Sequence, residues 1–278
     1  MRWQPGGSSD NVEDRRGMRR AGMGGGMGLG AILLVLFLSW LTGSDLSSML
    51  GLLSGGVGSQ DSGSVATGVP PNDEAGQFAT WVLNDNQAVW LKLLGSDYRP
   101  TTMVLFTDAT ESGCGFAQAA TGPFYCPGDE KVYIDLSFYD ELHTRFGASG
   151  DFAQAYVLAH EVGHHVQNVL GIERAMRRAQ QSNPGAANEL SVRMELQADC
   201  FAGVWGRSTA ERDILEDGDV EEGLNAAAAI GDDRIQKQAT GRISPESFTH
   251  GTSQQRASWL RRGLEQGSVE ACETFKGQ

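Results

Sequence analysis

A chain of 278 residues, 40% hydrophobic and 21% charged, is long and apolar enough for one folded domain of about 200 residues with segments to spare. Its 22 Lys and Arg against 35 Asp and Glu leave a net charge of −13, which argues against nucleic acid as a partner. The composition is globular, with ample apolar residues for a core.

Residues 1–20 are polar and carry Arg2, Arg15, Arg16, Arg19 and Arg20. No charge follows from Ala21 to Ser44, and Gly30 to Leu41 is almost continuously apolar. About 17–20 apolar residues span a bilayer, so 27–44 is read as a single transmembrane signal anchor at the short end of that range. The Arg cluster before it and Asp45 after it predict a cytoplasmic tail over 1–26 and an extracytoplasmic remainder. A cleaved signal peptide and a buried core helix compete. The long lead and the lack of an Ala-x-Ala site after the run favour the anchor. Residues 45–73 are rich in Gly and Ser, end near Pro70-Pro71, and read as a flexible linker.

The remaining 74–278 form the expected catalytic domain. Phe78, Trp81, Val82, Val89, Trp90 and Leu93 recur at helical spacing, which predicts a core-facing helix over Glu74–Leu94. Thr102–Thr107 and Lys131–Leu136 read as strands. Cys114 and Cys126 bracket the loop between them, and Cys200 and Cys272 complete an even set. Beyond a membrane segment, four cysteines suggest two disulfides. Of the three possible pairings, Cys114–Cys126 and Cys200–Cys272 are expected. Loop-closure entropy gives them about 3 and 4 kcal/mol respectively. A Cys-ligated zinc site competes, but Cys114 and Cys126 lack the short spacing of zinc knuckles. Ser137 to Phe146 looks helical, with His143 as a surface or core histidine.

The next helix carries the chemistry. Asp151 is its expected N-cap, and Phe152, Ala155, Leu158, Ala159, Val162, Val166 and Val169 form its buried stripe. Gly171 is its expected stop. Within it stands His160-Glu161-Val162-Gly163-His164. The two histidines lie one turn apart on one face, where both can reach one metal ion. Glu161 lies close enough to take a proton from water at that metal. With five His in the chain, a chance match is improbable. Gly163 costs about 1 kcal/mol relative to Ala in a helix, and its bare Cα would let another element approach closely.

Helical character resumes at Ile172 and breaks at Asn183-Pro184-Gly185, so a second helix can fold back. It carries Glu195 and Asp199, four apart on one face. A hydrolytic zinc site wants a third protein ligand, which Glu195 could supply. Asp199 could accept a hydrogen bond from the far nitrogen of a ligand His, with His160 preferred. Ala198, Cys200, Phe201, Ala202, Val204 and Trp205 mark the segment as buried, and buried carboxylates need partners. Ala226–Ile230 falls in a further short helix. Thr252-Ser253-Gln254-Gln255 reads as a capping box, with Thr252 as N-cap. His250, just before it, is either a structural loop residue or a catalytic group that polarises the scissile carbonyl.

His-Glu-x-x-His followed by Glu-x-x-x-Asp resembles the zincins with a Glu third ligand, the gluzincin arrangement. With Met1-Arg2-Trp3, Asp10-Asn11-Val12-Glu13-Asp14-Arg15-Arg16, Glu195-Leu196-Gln197-Ala198-Asp199-Cys200 and Thr249-His250-Gly251-Thr252-Ser253-Gln254-Gln255-Arg256, the chain is similar to the bacterial putative neutral zinc metallopeptidase family of membrane-anchored proteins. These segments span nearly the whole chain. The resemblance implies a peptidase acting on peptide or protein substrates.

The expected architecture is α+β: a small zincin-like sheet, an active-site helix and a second ligand-bearing helix, preceded by one transmembrane helix. Lys131–Leu136 is the candidate edge strand for an extended peptide, by analogy. One Zn²⁺ per chain is expected, on His160, His164 and Glu195, with Glu161 as general base. A cell-envelope amidase shares all this chemistry. A membrane-tethered protein with structural zinc needs the ligands but not Glu161.

Overall fold

The computed structural model describes residues 1–5, 9–17 and 66–275. Among the described residues there are seven strands: β1 Val12–Asp14, β2 Ala66–Thr67, β3 Thr102–Leu105, β4 Ala109–Ser112, β5 Gly115–Gln118, β6 Phe124–Cys126 and β7 Lys131–Ile134. The helices are α1 Glu74–Leu94, α2 Phe138–Thr144, α3 Asp151–Val169, α4 Ile172–Ser182, α5 Ala187–Glu211, α6 Asp219–Ala229, α7 Asp232–Thr240 and α8 Ser253–Gln266. The fold is α+β, as expected.

One mixed sheet has the order β2-β1-β3-β7-β6. β1, β3 and β7 run parallel, and β2 and β6 run antiparallel at the two edges. β4 and β5 form a separate hairpin. Met103, Val104, Leu105, Val132, Tyr133 and Ile134 are fully buried. Such continuous apolar runs suit strands covered on both faces.

Two expectations are corrected here. Lys131–Ile134 is an inner strand between β3 and β6, and the edge strand that contacts α3 is β6. The sequence is short and broken by Pro123 and Pro127 there, so β6 gave no period-two signal. Asp151 is the first residue of α3, and Gly150, at φ 111°, is its N-cap.

Met1–Arg15 belong to the same compact unit as 66–278. β1 lies inside the sheet, with Val12 fully buried and paired to Met103. Trp3 meets Phe78 of α1 edge to face at 5.2 Å. The Met1 α-ammonium donates to Asp151 Oδ2 at 2.6 Å and Asp219 Oδ1 at 3.4 Å, with Glu216 Oε2 at 3.3 Å. Residues 1–5 and 9–15 of the expected 1–26 tail thus belong to the folded unit, and β2 lies within the expected 45–73 linker. The expected anchor over 27–44 lies outside the described residues. Among the described residues no helix is long and apolar enough to cross a membrane.

The core sits where α3 and α5 cross among α1, α6 and α8. Phe152 of α3 stacks on Trp205 of α5, centroids 5.9 Å apart, and Phe201 meets Trp90 of α1 edge to face at 5.4 Å. Burying each such side chain stabilises the fold by about 1.5–3 kcal/mol. Gly163 sits at the α3–α5 crossing, where a Cβ would lie 2.9 Å from the Ala198 carbonyl oxygen. Its missing side chain brings the helix of His160 against the helix of Glu195. Any larger residue would push the two apart.

Both disulfides form as expected. Cys114–Cys126 ties the hairpin to edge strand β6, and Cys200–Cys272 ties the C-terminal segment to α5. The break at Asn183-Pro184-Gly185 turns α4 back into α5 through one turn of 3-10 helix. The Thr252–Gln255 capping box is present at the start of α8.

Candidate metal centre

His160 and His164 project from one face of α3, and Glu195 reaches them from α5. His160 Nε2 lies 3.1 Å from Glu195 Oε2 and 3.2 Å from His164 Nε2, and His164 Nε2 lies 3.5 Å from Glu195 Oε1. A tetrahedral zinc with ligands at 2.0–2.1 Å separates its donor atoms by about 3.3–3.4 Å. These separations are near that value, with the two histidines meeting different oxygens of Glu195, and the group could hold a metal ion. Two imidazoles and one carboxylate are also the donor set of hydrolytic zinc sites.

Each ring is held from behind. Asp199 Oδ1 accepts from His160 Nδ1 at 2.8 Å, which leaves Nε2 as the atom that would face a metal ion. His164 Nδ1 donates to Gln167 Oε1 at 2.8 Å. The amide of Gln167 is fixed in turn, because its Nε2 donates to the Met194 carbonyl at 2.7 Å and to Gln197 Oε1 at 3.1 Å. Asp199, fully buried, also accepts from the Tyr156 hydroxyl at 2.6 Å and from Arg256 through two bonds of 2.9 Å.

The charges interlock. Burial alone would pull the His160 pKa down, but the Asp199 and Glu195 carboxylates outweigh it and raise it to about 10. Burial pushes Glu195 up, yet His164, His160 and Arg256 together hold it well below the usual carboxylate range. Asp199 is likewise held low by Arg256 and His160 against its burial. Burial raises the Tyr156 phenol well above its usual value, so it stays a donor.

The site opens into a cleft of about 560 Å³. His160, Glu161, His164, Glu195, His250 and Arg256 all line it. One wall is apolar, with Phe124 and Tyr125 of edge strand β6 together with Phe138, Phe146 and Ile230. His165, next to His164, fastens that wall to α3. Its Nε2 donates to the Arg99 carbonyl at 2.7 Å, which leaves Nδ1 to accept from the Tyr125 hydroxyl at 3.1 Å. Asn168, one turn on, donates to the same hydroxyl at 2.9 Å.

His250 stands at the cleft, oriented by Asp232. Asp232 Oδ2 accepts the backbone N–H groups of Thr249, His250 and Gly251, and its Oδ1 is 3.1 Å from His250 Nδ1. The Asp232 bond raises the His250 pKa, with burial opposing it. His143 is exposed and takes no part in the cleft.

The sequence reading brought His160, Glu161, His164, Glu195, Asp199 and His250 to one place. It missed Tyr156, Gln167, Asp232 and Arg256 as their supports. Tyr156 and Gln167 had a signal, since they stand four before His160 and three after His164 on α3. Asp232 had none and Arg256 only its place at the end of the Thr249–Arg256 segment, because their partners lie 18 and 57 residues away.

A family model described as Putative neutral zinc metallopeptidase matches residues 1–275. The chain is 50% identical over 287 aligned positions to "Uncharacterized protein YpfJ" of Escherichia coli (strain K12), covering 99% of each chain. It is 48% identical over 203 positions to "Uncharacterized protein Mb2605" of Mycobacterium bovis, covering 69% of this chain and 68% of that one. No solved structure matches.

Proposed function

The chain belongs to the Putative neutral zinc metallopeptidase family, and we propose that it is a zinc-dependent peptidase that hydrolyses peptide bonds with Glu161 as general base. The observation that carries this reading is the triangle of donor atoms on His160, His164 and Glu195, set beside Glu161 in one cleft. Zinc, when bound, supplies Lewis acidity that polarises a carbonyl and acidifies water.

The residues of the chain do the rest. His160 and His164 present Nε2, because Asp199 and Gln167 hold the Nδ1–H of each ring. Glu161 takes a proton from the attacking water and returns it to the leaving amine. His250, oriented by Asp232, donates from Nε2 to the carbonyl oxygen as charge develops there. An extended substrate pairs with the free edge of β6, which the Tyr125–His165 bond holds over the helix. The apolar wall beside β6 receives substrate side chains.

Two disulfides support an extracytoplasmic catalytic domain, since such bonds persist in oxidising compartments. The test uses the full chain in cells and in purified form. Wild type and Glu161→Gln should both carry one zinc per chain, and only wild type should release new peptide termini outside the cytoplasm. Termini released equally by Glu161→Gln would sink the proposed mechanism. Release of cell-wall peptides without protein termini would move the substrate to the amides of the cell envelope.

A further inference from the structure

Arg256 is 2% exposed and has no place in the mechanism above. A buried guanidinium is costly unless its hydrogen bonds are met, so its partners say what it is for. Its Nε donates to Asp199 Oδ2 and its Nη2 to Asp199 Oδ1, both at 2.9 Å. Nη1 reaches the Ile230 carbonyl at the end of α6 at 3.3 Å. Nη2 also lies 3.3 Å from the Tyr156 hydroxyl and 3.4 Å from His160 Nδ1. That last approach is no hydrogen bond in the ligating tautomer, because Nδ1 carries its own proton. Three donors thus converge on Oδ1 of Asp199: His160, Tyr156 and Arg256.

We propose that Arg256 is a positioning residue of the metal centre, locking the Asp199 carboxylate in the plane that aims Oδ1 at His160 Nδ1. This rests on the reading of His160, His164 and Glu195 as metal ligands. The physical reason is rotational. The terminal torsion of an Asp side chain has broad minima, so a single donor does not fix its plane. A planar guanidinium that meets both oxygens side-on does fix it. Arg256 is itself anchored, being in the first turn of α8, where the Thr252–Gln255 capping box sets the backbone. The Ile230 carbonyl holds its far end. The orientation of His160 on α3 is therefore set through α5 by a residue of α8.

Two blander roles compete: neutralising the Asp199 charge, and propping the helices apart. Arg256→Lys separates them, since lysine keeps the charge and much of the length but cannot form the fork. Zinc affinity is measured by competition with a chromophoric chelator, alone and in a cycle with Asp199→Asn. Arg256→Lys should weaken zinc binding by roughly 10–100-fold, the usual range for losing such outer support. In the Asp199→Asn background the same change should have little further effect. Arg256→Gln should be at least as weak, and if it does not fold the lysine variant still decides.

Wild-type zinc affinity in Arg256→Lys would overturn the proposal, since charge or bulk alone would then suffice. Additive losses in the cycle would also overturn it, because Arg256 would be acting independently of Asp199. A wild-type chain that binds no zinc would defeat the metal reading itself, and this proposal with it.

Discussion

Helix α3 takes part in two clusters that look alike by distance alone. In the middle, His160 and His164 meet Glu195. At its first residue, Asp151 meets Asp219 and Glu222. In each, three potential ligand atoms lie within 4.8 Å of one another. The difference is chemical. The first cluster pairs two imidazoles with one carboxylate, holds both rings from behind, and faces the cleft. The second is all carboxylate, and the Met1 α-ammonium already sits on Asp151 and Asp219. Spacing alone therefore does not define a metal site. Donor type, support of the rings and an existing occupant separate the two.

That contrast breaks most sharply at Glu195. Glu195→Ala should abolish tight zinc binding and hydrolysis together, whereas Glu161→Gln should keep zinc and lose at least about 10²-fold in turnover. Metal analysis beside peptide hydrolysis reads both. Zinc retained by Glu195→Ala would leave the first cluster no better defined than the second.

Asp199→Asn probes the support behind the rings. It should lower zinc affinity or turnover by roughly 10–100-fold, a smaller loss than at Glu195. Its effect on thermal unfolding should be larger with zinc than without, because the bond to His160 matters most when that ring is a ligand. A variant that binds and turns over like wild type would reduce Asp199 to an ordinary buried carboxylate.

Asp219→Asn tests the second cluster. Zinc content should stay at one per chain, while unfolding in urea should lose about 1.5–3 kcal/mol, the range for a hydrogen bond to a charged group. A fall in zinc content without loss of stability would reverse the assignment of the two clusters.

The smallest effect is one of pH. Burial opposes charge on the Met1 α-ammonium, but Asp151 and Asp219 outweigh it and raise its pKa above the usual 8.0. An amine raised in the folded state stabilises fully below its unfolded value and loses that contribution as pH rises through the folded one. The urea midpoint should therefore decline on the alkaline side of about pH 8, and less so in Asp219→Asn. An equal decline in both would detach the amine from this pH dependence.

The legibility of the chain follows the same division between local and distant. His160, Glu161 and His164 sit within one turn of helix, and Glu195 and Asp199 within another, so their spacing could be read directly. The capping box at Thr252 is equally local. Strand β1 is different, since only Val12 among its three residues is apolar and its neighbour in the sheet begins at Thr102. Edge strand β6, three residues between prolines, also gave no period. Arg256 looks like any surface arginine of an amphipathic helix until its partner on α5 is in view.

Hydrogen bonds between strands do not form across a lipid bilayer. Asp14 is paired with Ala66 on one side and with Leu105 on the other. A sheet assembled this way requires β1 and the helix of His160 to lie on the same side of any membrane. A sidedness reporter near Val12 and another near Gln266 should give the same answer.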